Sequence, residues 1–176
     1  MSEINVTLPD GKVLAVPSGS SVLFVAEQIG PGLARAAMAG RADGRLVDLR
    51  EPLREDVALE IVTARDPVAG EIIRHSAEHI MADAVKRCFP KVQIDVGRTD
   101  HSEKFQYDFL VDDPFTAEDL EQITASMQAI VTENTEFERT VVSREEARSI
   151  FSDLGETLKL SRLDDIPEDA EITIFR

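Results

Sequence analysis

Two histidines, His75 and His79, stand four residues apart in the run Arg74-His75-Ser76-Ala77-Glu78-His79. On an α-helix that spacing leaves the side chains within about 40° of one another and one turn apart, so both imidazoles project from one face. Imidazole is the side chain whose ordinary pKa lies nearest neutrality. Such a pair can share a water, a phosphate or a metal, and can pass a proton between its members. Two surface histidines without chemistry are the plain alternative at this spacing. The same residues fit His-x-x-Glu-His, with Glu78 as the general base of a zinc peptidase. A catalytic zinc also needs a third protein ligand and an open position. Glu118, Asp119, Glu121, Glu145 and Glu146 are of the right type, but in a chain with 34 acidic residues their presence does not discriminate.

Other reactive side chains are less pointed. Cys88 lies nine residues beyond His79, about half a turn off its face on a straight helix, which predicts a small buried apolar side chain. His101 sits in a polar stretch, from which it could swing toward the pair, but reads as an exposed loop histidine. Lys159, after Gly155-Glu156-Thr157-Leu158, reads on its own as an ordinary exposed lysine. Tyr107 and Asp108 are neighbours in a strand-like run and therefore face opposite sides, one a packed ring and the other a solvated carboxylate.

The elements that position these residues fall into two groups. Residues 3–16 alternate apolar and polar around Pro9-Asp10-Gly11, a hairpin signal. Ser20 or Ser21 caps a helix carrying Val22, Val25, Ala26 and Ile29, which Gly30-Pro31-Gly32 ends. Strands at 37–39 and 46–49 flank the turn dipeptide Asp43-Gly44, and Val57, Leu59 and Ile61 alternate in a last strand. This order predicts a mixed sheet curled over one helix, a ubiquitin-like β-grasp, over residues 1–63. From 64 to 176 the pattern changes. A long helix runs from about Val68 to Phe89, with Ile72, Ile73, Ala77, Ile80, Met81, Ala84 and Val85 as its apolar stripe, and Pro90 stops it. Strands follow at 92–96 and 105–111. Thr116 opens a capped helix with core face Leu120, Ile123, Met127 and Ile130, and Ser143 caps another after a strand at 137–142. A final strand spans about 171–175. Without a strict βαβ repeat, the class is α+β.

The bulk numbers narrow the function classes. No apolar run approaches the ~18 residues that span a bilayer, and the opening residues lack a secretory pattern. The expectation is a cytoplasmic protein that does not enter a membrane. A formal charge of −15 opposes broad binding to phosphates, which needs an excess of lysine and arginine. Any affinity for RNA is therefore expected to be local.

In order and spacing, Leu8-Pro9-Asp10-Gly11, Asp43-Gly44 with Leu46-Val47-Asp48-Leu49, the helix from Arg74 to Lys86, Phe105 to Phe109, Pro114 to Leu120 and Gly155 to Lys159 resemble the N-terminal region of bacterial threonyl-tRNA synthetases. The resemblance covers essentially the whole chain. It implies a TGS domain followed by an editing domain that hydrolyses mischarged seryl-tRNA(Thr). By the same resemblance His75, His79 and Lys159 are the editing residues, and Tyr107 and Asp108 contact substrate. The partner it implies is the 3′ end of tRNA(Thr), weakly bound by this chain alone. No cofactor is expected within the chain; ATP, zinc and the homodimer contacts belong to domains of the family outside these residues. The family pattern also continues past Arg176 into a segment with an aspartate, a cysteine and a further histidine, so the editing domain is expected to be incomplete here. A free-standing, non-catalytic synthetase-like protein is the alternative. Three positions depart from the pattern: Arg98 replaces a proline, Lys104 a glycine and Gln106 a tyrosine.

Overall fold

Ile4, Val6 and Leu8 alternate with polar residues, and in the computed structural model all three face inward. The structure describes residues 2–97 and 100–175, apart from the side chain of Val96; Arg98 lies outside them. Contacts divide the chain into units at residues 1–73 and 74–176. The pattern change near Pro67 falls inside the first unit. Asp66 there accepts from the Arg41 guanidinium at 3.3 and 3.4 Å.

The first unit runs β1 (Glu3–Thr7), β2 (Val13–Pro17), β3 (Ser20–Ser21), α1 (Val22–Ile29), α2 (Pro31–Ala36), β4 (Ala37–Ala42), β5 (Arg45–Val47), β6 (Pro52–Leu53) and β7 (Val57–Thr63). Its main sheet has the order β2-β1-β7-β4-β5. β1 pairs antiparallel with β2 and parallel with β7. The β4–β5 turn places Asp43 and Gly44 at φ 47° and 83°, the left-handed pair that a two-residue hairpin needs. Ser21 caps α1, its hydroxyl accepting from Phe24 N at 3.1 Å. Val22 and Val25 are fully buried against Ile4, Val6, Val16 and Leu59. Ile29, read as part of this apolar face, is 41% exposed at the helix end. Gly30-Pro31-Gly32 ends one helix and starts another, with Pro31 in the first turn of α2, where its missing N–H costs nothing. The small β3–β6 pair was not legible, since two-residue strands have no period.

The long helix α3 is Ala69–Cys88, and the second unit continues with β8 (Gln93–Gly97), β9 (Tyr107–Leu110), α4 (Ala117–Glu133), β10 (Arg139–Val142), α5 (Arg144–Asp153), α6 (Thr157–Leu163) and β11 (Ile172–Phe175). Thr116 with Asp119 and Ser143 with Glu146 form the two expected capping boxes. The α3 stripe is buried only towards its C-terminal half: Ala84 and Val85 pack with Ile123, joined by Met81, Phe89, Phe109, Met127 and Ile130. Ile73 is 55% exposed and Leu120 54%, because each lies beyond the reach of that cluster. A second apolar cluster joins Ala147, Leu163 and Ile172 under the β10–β11 pair. Polar links connect the two clusters. Arg162 of α6 grips Asp95 of β8 at 2.8 and 2.7 Å, and Thr157 N donates to Gln93 Oε1 at 3.0 Å.

Two further expectations change. Phe137 precedes β10 and is not within it. Residues 157–163 form a helix that sequence patterning did not show; Glu156, at its N-cap, makes no capping hydrogen bond. Among the described residues, no helix is long and apolar enough to cross a membrane.

Candidate functional site

Helix α3 presents His75 and His79 on one face, as their spacing requires, and their Nε2 atoms lie 3.1 Å apart. At that distance one ring donates to the other, in the direction set by the tautomers. Burial, followed by the charge of His75, pushes the His79 pKa down to about 4, against the opposing pull of Glu78. His75 is also lowered, by burial and then by His101, again opposed by Glu78. At neutral pH the pair is therefore uncharged, able to accept a hydrogen bond from water and able to offer only one N–H between its members.

His101 is not the exposed loop residue that the polar sequence suggested. Its ring stacks on His75 with centroids 4.7 Å apart, and its Nε2 lies 3.0 Å from Glu78 Oε2. The backbone explains the placement. Arg74 donates from Nε to His101 O and from Nη2 to Ser102 O, the latter at 2.7 Å. At the far end of the loop, Gln106 N donates to Glu78 Oε1 at 3.1 Å. Glu78 is 2% exposed. With one oxygen facing His101 and the other accepting from Gln106, it is committed to holding this loop, which does not suit a peptidase base.

A cavity of about 690 Å³ opens beside the pair, lined by His79, Tyr107, Lys159, Phe137 and Phe175 among others. Lys159 comes from α6. Burial lowers its pKa, Glu156 raises it and Lys86 lowers it again. Glu156 is 3% exposed and binds Lys86 Nζ at 2.7 Å. Tyr107 is half-buried, and burial followed by the Glu78 charge raises its pKa, so its hydroxyl stays protonated. Phe175 closes on His79 with centroids 4.9 Å apart.

The structure thus brings His75, His79, Lys159 and Tyr107 to one region. Asp108 is exposed on the opposite side of β9, where Gln106 Nε2 donates to it at 3.4 Å, and it does not line the cavity. Cys88 is half-buried and lines a different cavity, of about 670 Å³. Glu156, Phe137 and Phe175 escaped the sequence reading as site residues, since isolated positions leave no periodic trace. The cavity can admit a small polar ester against an aromatic wall, with the uncharged imidazole of His79 on one side and the Lys159 ammonium on another.

Residues 4–63 match the TGS domain family. A threonine–tRNA ligase of Pelobacter propionicus is 46% identical over 166 residues, covering 94% of this chain and 26% of its own. One from Symbiobacterium thermophilum is 44% identical over 174 residues, 99% of this chain and 27% of its own. One from Staphylococcus aureus is 42% identical over 175 residues, with the same shares of 99% and 27%. The chain spans about a quarter of the length of the curated relatives it matches.

Proposed function

Because this chain, with its TGS domain at residues 4–63, belongs along nearly its whole length with the N-terminal region of threonyl-tRNA synthetases, we propose that residues 64–176 contribute to proofreading by hydrolysing seryl-tRNA(Thr). The physical need is definite. Serine lacks one methyl of threonine, and a missing methyl gives a binding pocket only about 1–3 kcal/mol of discrimination. A second, hydrolytic site raises the fidelity.

The observation that carries the reading is the convergence of His79, whose Nε2 lies 3.1 Å from that of His75, and Lys159 on one aromatic-walled cavity. Water attacks the ester carbonyl carbon, the bond to the ribose oxygen breaks, and that oxygen takes the proton the water gives up. The uncharged pair holds the attacking water through its one acceptor nitrogen not used in the His75–His79 hydrogen bond. The Lys159 ammonium offsets the charge that gathers on the carbonyl oxygen. Tyr107 contributes a protonated hydroxyl to the same wall. The setting is cytoplasmic, and the partner is the 3′ end of tRNA(Thr), held weakly because the chain is so acidic.

Two measurements test this. In single-turnover deacylation of seryl-tRNA(Thr), His79→Ala and Lys159→Ala should each lower the rate by about 10² or more, the usual worth of a positioned group, with threonyl-tRNA(Thr) spared throughout. A non-hydrolysable, amide-linked seryl-adenosine should move the His79 ring resonances on titration. Undiminished hydrolysis in both variants would remove these residues from the chemistry. Binding of the analogue without any hydrolysis would favour a synthetase-like binding protein instead.

A further inference from the structure

The cavity beside His79 holds an acceptor that the proposed hydrolysis does not use. Glu156 lines it and is 3% exposed. Its Oε1 is taken by Lys86 Nζ at 2.7 Å, its side chain makes no capping bond to α6, and among the described residues Oε2 has no hydrogen-bond partner. A buried acceptor left unpaired is costly and uncommon in a folded protein, so a donor on a ligand is its natural complement. Its position along the cavity narrows the ligand. Lys86 lies two helical turns, about 10 Å, along α3 from His79. It donates to Pro90 O and Val92 O past the end of the helix, so its ammonium, and Glu156 with it, is turned away from the histidines. An ester held at His79 keeps its seryl group and ribose near the pair, and only the base of the attached nucleoside extends towards Glu156. Ile94, Ile130, Val131 and Leu154 also line the cavity, surfaces that suit a flat heterocycle better than a phosphate.

We propose that Glu156 is a specificity-determining residue for the nucleoside end of the substrate, its Oε2 accepting from the exocyclic amine of the terminal adenine. Glutamate and aspartate accept from exocyclic amines of bases in the same way in nucleic-acid complexes. Lys86 sets the polarity of the contact, because by occupying Oε1 it leaves the side chain one acceptor for the base. A base without the amine leaves Oε2 as it is in the free protein and gains nothing there. In Glu156→Gln the amide oxygen stays on Lys86 Nζ and the NH2 takes the place of Oε2, so an acceptor becomes a donor at the same point. This inference rests on the proofreading reading for the identity of the ligand, and its test reads binding instead of hydrolysis.

The whole chain is titrated by NMR with two amide-linked seryl nucleosides, one of adenosine and one of purine riboside, which differs only in lacking the amine. The unmodified protein should bind the adenosine analogue about tenfold more tightly, the usual worth of one hydrogen bond to a buried acceptor. The side-chain carboxyl carbon resonance of Glu156 should move with the adenosine analogue and stay in place with the other. Glu156→Gln should remove the preference; should that variant fail to fold, the carboxyl resonance of the unmodified protein decides. Equal affinity for the two analogues, a carboxyl resonance indifferent to both, or a preference that survives in Glu156→Gln would overturn the assignment. Failure of both analogues to bind would overturn it too. The expected preference in a chain that deacylates no seryl-tRNA(Thr) would retain Glu156 as a reader of the base and remove the proofreading reading alone. Deacylation without any preference between the analogues would do the reverse.

Discussion

Replacing Lys86 by methionine isolates an ion pair whose acidic member is nearly out of reach of water. Lys86 Nζ donates to Pro90 O at 3.2 Å, to Val92 O at 2.9 Å and to Glu156 at 2.7 Å. Methionine keeps the stem and removes all three donors. The two carbonyls border an exposed loop and rehydrate at small cost. Glu156 is different: its side chain is 4% exposed and its second oxygen already lacks a partner. Stranding a buried carboxylate costs about 3–5 kcal/mol when no solvent reaches the pair. The 29% exposure of Lys86 admits some water, which brings the expected loss to about 2–4 kcal/mol, still several times the worth of a surface pair. The double variant Lys86→Met/Glu156→Gln removes the stranded charge and should recover most of that loss. Urea denaturation followed by circular dichroism measures both. A single-variant loss below about 1 kcal/mol, or a double variant no better than the single, would refute the claim that burial sets the strength of this pair.

Other perturbations have equally definite expectations. At Gly40, an added methyl would fall 2.7 Å from Val22 Cγ1 and 3.2 Å from Leu59 Cδ1; Gly40→Ala should cost about 1–3 kcal/mol by overpacking. The control Gly32→Ala, inside α2 with nothing within 4 Å, should gain about 0.5–1 kcal/mol from helix propensity; thermal unfolding reads both. His79 has a folded pKa of about 4, below its unfolded value of about 6.5, so the unfolded chain binds the extra proton between those limits. Its contribution is constant above pH ~6.5 and destabilises progressively as pH falls towards 4. Urea midpoints at pH 7.5, 6 and 5 should therefore fall less steeply for His79→Gln than for the unmodified protein. Arg148 meets Asp164 at 2.7 Å with both side chains at least half exposed. Arg148→Ala should change stability by no more than about 0.5 kcal/mol in the same urea assay.

The first unit was legible because its signals are local. Alternation placed Ile4, Val6 and Leu59 inside, Asp43-Gly44 dictated a turn geometry, and Ser21 capped the helix it precedes. The four-residue spacing of His75 and His79 was enough to foretell their shared face. What sequence could not carry was closure. Whether Ile73 or Leu120 is covered depends on where other elements stop, and the helical period is the same either way. His101 reaches His75 because Arg74 and Glu78 hold two ends of a loop, a constraint spread over some thirty residues with no repeating pattern. Lys159 was identifiable only by resemblance, since its helix α6 is seven residues long and too short to show an amphipathic stripe.

The parallel pairing of β1 with β7 has a consequence for how the chain is made. Val6 sits opposite Val57 and Thr7 opposite Ala58, so the strand synthesised first waits for one synthesised some fifty residues later. At about 5–20 residues per second, that interval is roughly three to ten seconds. The β1–β2 hairpin can form during it, but one edge of β1 stays open, with Ile4 and Val6 still uncovered. An open apolar edge is the usual template for unwanted strand pairing. The nascent chain is thus most vulnerable to aggregation before residue 57 emerges, and slowing translation between residues 17 and 57 should lower the soluble yield more than slowing it afterwards.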